Sequence, residues 1–131
     1  MESRTTQVQA LYDAFGRGDL AAILAVCDAD IIWGSNADAE RIPWGGVRHR
    51  HEGATAFFVE LSTHLEFEAF EPGEMFPSGE TVVVLGHSRA RCKTGRKGTF
   101  SSDWVHVFTW REGRLVRFHE HYDTAAIERA L

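Results

Sequence analysis

The sequence predicts an α+β fold in which N-terminal helices pack into a curved antiparallel sheet, with a single core for residues 1–131. Two features of patterning predict it. Apolar residues recur with helical spacing in the first half of the chain and alternate in the second half, so helices and strands are segregated. The composition also suits a packed core, with 44% hydrophobic residues, nine Phe, four Trp and two Tyr. No internal repeat, low-complexity stretch or linker divides the chain.

The elements follow in order. In "TTQVQALYDAFGRGDL" the residues Val8, Leu11, Tyr12 and Phe15 form an i, i+3, i+4, i+7 stripe. Gly16 and Gly18 end that helix, and Asp19 caps the next, "LAAILAVCD". "DIIWGS" reads as a short strand, and "NADAERIPWGGVRHRHEG", rich in turn formers, as a loop. "ATAFFVELSTHL" is a third helix carrying Phe57, Phe58, Leu61 and Leu65 on one side. Four strands then form a meander: "LEFEAFEPGEMF", bent at Pro72-Gly73; "TVVVLGHSRARC"; "TFSSDWVHVFTW"; and, after the tight "REG" hairpin, "RLVRFHEHY". "DTAAIERAL" ends the chain as a short helix capped by Asp123.

Alternation sorts the side chains of the last hairpin. Trp104, His106, Phe108 and Trp110 share one face, and Val105, Val107 and Thr109 the other. On the following strand Val116, Phe118, Glu120 and Tyr122 share a face opposite Leu115, Arg117, His119 and His121. Both faces of the "WVHVFTW" strand are apolar, which predicts a second subunit over the face turned away from the core.

Charge and cysteine usage exclude several classes. A net charge of -5 argues against a sequence-independent nucleic-acid binder. Cys27 and Cys92 lie far apart, without metal-like spacing, as expected of reduced thiols in a cytoplasmic protein. The start, "MESRTTQVQ", has no apolar leader segment, and no apolar run approaches the roughly 18 residues of a membrane span.

Together "LYDAFGRGDLAAILAVCDADIIW", "PWGG", "TVVVLG", "TGRKG" and "HVFTWREGRLVRFHEHYDTA" resemble the SnoaL-like, ketosteroid-isomerase-related branch of the nuclear transport factor 2-like superfamily. The resemblance covers nearly the whole chain. It implies a cone, a curved sheet wrapped against helices around a deep apolar pocket, often in a dimer. It does not select an activity, because the superfamily includes isomerases, polyketide (aldol) cyclases, epoxide hydrolases, dehydratases and non-enzymatic binding domains. Ketosteroid isomerase combines an aspartate base with an oxyanion hole of a tyrosine and a protonated aspartate. Carried onto this chain, the tyrosine falls on Leu11, with Tyr12 one position off that face; the base falls on Ser35 and the oxyanion aspartate on His106. Leucine cannot donate a proton and serine is no base near neutral pH, so steroid isomerisation by the parent mechanism is not expected. Relatives also usually carry Gly where this chain has Arg50.

The expected pocket face holds Trp33, Trp104, His106, Phe108, Trp110, Phe118, Glu120 and Tyr122, with Trp44 of "PWGG" covering the mouth. A carboxylate between Phe118 and Tyr122 is costly to bury unpaired, and hairpin geometry offers His106 as its partner. That pair is an acid/base unit or a structural hydrogen bond. His87 alternates with Arg89 and Arg91, facing either a ligand's carboxylate or enolate or the solvent. His119 and His121, like His49 and His51, have HxH spacing, but no third ligand is fixed nearby; the reading assigns no metal and no cofactor. The expectation is a cytoplasmic homodimer that binds a small apolar or aromatic molecule, and neither nucleic acid nor membrane. Two functions compete. One is acid/base chemistry on an apolar carbonyl compound (isomerisation, cyclisation or dehydration) by His106 and Glu120; the other is non-catalytic ligand binding or sensing.

Overall fold

The computed structural model describes residues 3–131; Met1 and Glu2, which begin the segment read as lacking an apolar leader, lie outside the described residues. Helix α1 (Arg4–Arg17) starts at Ser3, whose hydroxyl accepts from the Thr6 N–H, and stops at Gly18, left-handed at φ 70°. Helix α2 (Leu20–Val26) is capped by Asp19, whose carboxylate accepts from the Ala22 N–H at 3.0 Å. Strands β1 (Cys27–Ser35) and β2 (Val47–His49) precede helix α3 (Arg50–His64). The long strands β3 (Leu65–Ser78), β4 (Thr81–Cys92), β5 (Thr99–Arg111) and β6 (Arg114–Tyr122) follow, and helix α4 (Thr124–Ala130) is capped by Asp123. No helix among the described residues is long and apolar enough to cross a membrane.

The sheet runs β2-β1-β6-β5-β4-β3. Strands β3 to β6 form the expected antiparallel meander. The whole sheet is mixed, because β1 lies parallel to β6. The chain leaves β1, passes through α3 and the meander, and returns beside β1 in the same direction, as a parallel pair requires. The register of β3 against β4 slips between Pro72 and Met75, at the predicted bend.

Val8 and Leu11 of α1, Ile23 of α2 and Ala54 and Phe57 of α3 join Trp33, Trp104, Phe108 and Phe118 in one core over the inner face of the sheet. One predicted alternation fails. Between Thr109 and Trp110 the β5/β6 register skips Val116, so Leu115, not Val116, pairs with Trp110 and is fully buried. A bulge adds one residue and reverses the faces beyond it, which regular alternation cannot anticipate.

One row of the outer face is largely apolar. Register aligns Phe76, Val83, Val107, His119, Gly34 and Val47 in one row from β3 to β2. Val105 and Val107 are half-buried, while Leu85, Phe76 and Val47 are exposed.

Candidate functional site

The inner face encloses a cavity of about 100 Å³ between the sheet and helices α1 to α3. Its sheet side is laid out by register: Ser35, Glu120 and His106 are neighbours across β1, β6 and β5, and Trp33, Phe118 and Phe108 form the adjacent row. His106 and Glu120 are directly opposite, and both are buried.

Nε2 of His106 lies 3.3 Å from Oε2 of Glu120. On the other side of the imidazole, Nδ1 lies 2.9 Å from the Tyr12 hydroxyl. Burial, reinforced by the charge of Glu120, pushes the Tyr12 phenol far above its ordinary range, so it remains an O–H donor. Burial also lowers the His106 pKa, against the opposing pull of Glu120, which favours the neutral ring. One tautomer satisfies both neighbours: Tyr12 donates to Nδ1, and Nε2–H faces the carboxylate. Oε1 of Glu120, buried, has no hydrogen-bond partner among the described residues, and neither has the indole N–H of Trp33.

Aromatic packing holds this arrangement. Trp104 stacks on His106 at 3.8 Å between ring centroids and on Phe70 at 5.2 Å. Its indole N–H donates to the Ser88 hydroxyl at 2.7 Å. Gly86 permits this, since a Cβ there would overlap Cζ2 and Cη2 of the Trp104 ring. Trp33 stacks on Phe118 at 4.2 Å. Tyr122 shares a 2.6 Å hydrogen bond with Ser35, and its phenol pKa is raised by burial and by Glu120.

The expected residues divide into two groups. His106, Glu120, Trp33, Trp44, Trp104, Phe108, Phe118 and Tyr122 all line the cavity. Trp44, expected over the mouth, is buried in the wall, and its loop is tied down by the Gly46 N–H donating to the Ala37 carbonyl at 2.8 Å. Trp110 shares their face but is not among the residues lining the cavity; its ring packs under Arg4, which pairs with Glu80. His87 points outward and meets Asp103 at 2.8 Å, and Arg89 and Arg91 pair outside with Glu68 and Glu66. Odd positions of β4 face solvent here because Val82, Val84, Ser88 and Ala90 are the buried set.

His119 and His121 sit on the outer face with ring centroids 4.7 Å apart, and His51 contacts the Cys27 carbonyl. Among the described residues no three His, Cys, Asp or Glu side chains are grouped as a metal would need. Asp123 caps α4 through the Ala126 N–H, as its position implies.

Two contributors leave little mark in the sequence. Tyr12 belongs to the apolar stripe of its helix, while the resemblance puts the parent tyrosine at Leu11. Gly86 carries no pattern that marks it, since it matters through one partner on another strand. Ser35, where the resemblance puts the parent base, instead meets the Tyr122 hydroxyl.

The sequence profile of the SnoaL-like domain matches residues 8–118. The chain belongs to the SnoaL-like family. None of the curated proteins matches it. Among solved structures, an NTF2-like protein of unknown function from Burkholderia pseudomallei is 34% identical, with 99% of this chain and 98% of that chain covered and a TM-score of 0.88. An NTF2-like protein from Burkholderia xenovorans is 32% identical over 97% of this chain and 94% of that one, with a TM-score of 0.86. TerC, solved with polyporic acid, is 26% identical over 97% of this SnoaL-like chain and 96% of its own, with a TM-score of 0.81.

Proposed function

We propose that this SnoaL-like protein takes a small, largely apolar carbonyl compound into the cavity and moves a proton next to its carbonyl group. The observation that carries the reading is the free Oε1 of Glu120, buried and without a partner while Oε2 faces His106. A carboxylate kept only for structure would use both oxygens, because an unmet buried acceptor costs about 1–3 kcal/mol.

In this reading Glu120 is the base. The bond between the substrate's α-carbon and its hydrogen breaks, the proton goes to Oε1, and the electron pair forms an enolate. The unpaired Trp33 N–H and the Tyr122 hydroxyl are the donors available to the enolate oxygen. His106, oriented by Tyr12, holds the carboxylate in place and balances the changing charge. Returning the proton to another carbon is isomerisation, attack of the enolate carbon on an internal carbonyl is cyclisation, and loss of a β-hydroxyl as water is dehydration. The relative solved with polyporic acid supports a cyclic ligand for the same fold.

The aromatic packing around His106 supports a second reading, a pocket that holds its ligand without turnover. Deuterium exchange separates the two. With a panel of small enolisable ketones in D2O, NMR should show loss of the α-proton signal. Glu120→Gln should slow that loss by roughly 10²–10⁴ with the fold intact. Ligand binding with no exchange in the native protein would leave only the second reading standing.

We also propose that a second copy covers the outer face, on the strength of the apolar row through Phe76, Val83, Val107 and Val47. Sedimentation should give twice the chain mass at micromolar concentration, and Val107→Glu should give the monomer. The buried, free thiols of Cys27 and Cys92 support a cytoplasmic setting.

A further inference from the structure

The cavity's polar groups lie on strands β1 and β4 to β6, at Tyr12 of α1 and at Trp44, while its wall beneath α2 and α3 is hydrocarbon throughout: Phe15, Ile23, Phe58, Leu61, Leu65 and Phe67. The same six side chains also line a second hollow of about 350 Å³, a groove that opens between α2 and α3 beside Leu20 and Val59. These six residues form a wall common to the two spaces, with Phe15 lying 6.1 Å from Phe58 and 6.0 Å from Phe67 between centroids, neither pair stacked. The inner space is small, since a dry cavity that accepts benzene measures about 150 Å³. A single ring is therefore the largest head it can take, and only with the wall side chains giving way; anything longer has to continue past these six residues.

We infer that the ligand is a single-ring, hydroxyl- or carbonyl-bearing head with an apolar tail that leaves between α2 and α3. This rests on the cavity being a ligand site, as proposed above. The head meets Glu120 and Trp33, which line the cavity and each have a buried hydrogen-bonding atom without a partner among the described residues. The tail replaces water along Leu20, Val59 and the phenylalanine wall, and Val59, already exposed, marks the outer end of the groove. A charged tail gains nothing on such a surface, and an anionic one also meets Asp19 at the groove's edge.

The test uses 5-alkylresorcinols with methyl to heptyl tails, with binding followed by quenching of the cavity tryptophans. The dissociation constant should fall about threefold to fourfold with each added methylene until the tail outgrows the groove. Val59→Glu, a change at an exposed position, should leave the methyl compound's affinity as it was and weaken the heptyl compound at least tenfold. A constant that is flat or rises with tail length would overturn the inference, as would equal weakening of both compounds by Val59→Glu. The site reading is judged separately, by whether Glu120→Gln weakens the methyl compound. If no member of the series binds, the inference falls, while the site reading still stands or falls by the ketone exchange experiment.

Discussion

The Tyr12 hydroxyl meets Nδ1 of His106 at 2.9 Å, joining helix α1 to strand β5 across 94 positions of sequence. Tyr12 also touches Phe108 edge-on at 5.7 Å, so its ring packs while its hydroxyl fixes the imidazole. Tyr12→Phe should keep that packing and strand a buried nitrogen. The expected cost is about 1–3 kcal/mol in urea denaturation. Imidazole ¹⁵N spectra should change from one tautomer to a mixture. Unchanged spectra would mean that Tyr12 does not set the proton's place.

Burial holds the His106 pKa below its ordinary 6.5, so the folded protein resists a proton that the unfolded chain accepts. The contribution of a neutral His106 is therefore intact above about pH 6.5 and declines as the pH falls, by up to about 1.4 kcal/mol per pH unit. The difference in unfolding free energy between the native protein and His106→Asn should shrink from pH 7 to pH 5. Tyr12 and Glu120, the groups facing the ring, remain in both proteins, as does the outer-face His119. A difference that grows on acidification would show that Glu120 outweighs burial.

Gly86 lies beneath the Trp104 ring, and a Cβ there would overlap that ring. Gly86→Ala should therefore push Trp104 off Ser88 and disturb its stack on His106. A loss of about 1–3 kcal/mol is expected, as for other overpacked cores, together with a shift in tryptophan emission. Gly16 of α1, where an added Cβ meets nothing within 4 Å, serves as the comparison. A stable Gly86→Ala protein with native emission would refute the close fit.

Arg50, the first residue of α3, has φ 65°, in the left-handed region, and its side chain is exposed. A residue with a Cβ pays about 1–2 kcal/mol there, and glycine does not. Arg50→Gly should raise stability by about 1 kcal/mol, seen as a higher denaturant midpoint with an unchanged slope. Arg50→Val should lower it.

That His106 and Glu120 both point inward was legible, because side chains alternate along a strand and the hairpin sets the two strands side by side. Their direct pairing was not: the two-residue Glu112-Gly113 turn, continued regularly, would set His106 opposite His119, and the bulge at Val116 shifts the register by one to bring Glu120 there. The same alternation mistook Leu115 and Val116, where one bulged residue inverts the face. It also grouped Trp110 with the cavity residues, although α1, through Arg4, covers that end of the strand. His87 needed the burial pattern of β4 to be turned outward beside Asp103.

The residues by themselves determined the order of helices and strands, the inward set on the last hairpin and the family resemblance, because periodicity, caps and turns act over a few positions. Tertiary structure alone decided that β1 lies parallel to β6, that Tyr12 reaches His106, that Gly86 makes room for Trp104 and that Oε1 of Glu120 is left open. Each of these is a distance between groups remote in sequence. Such distances follow from how helices settle on a twisted sheet, and no local pattern carries them.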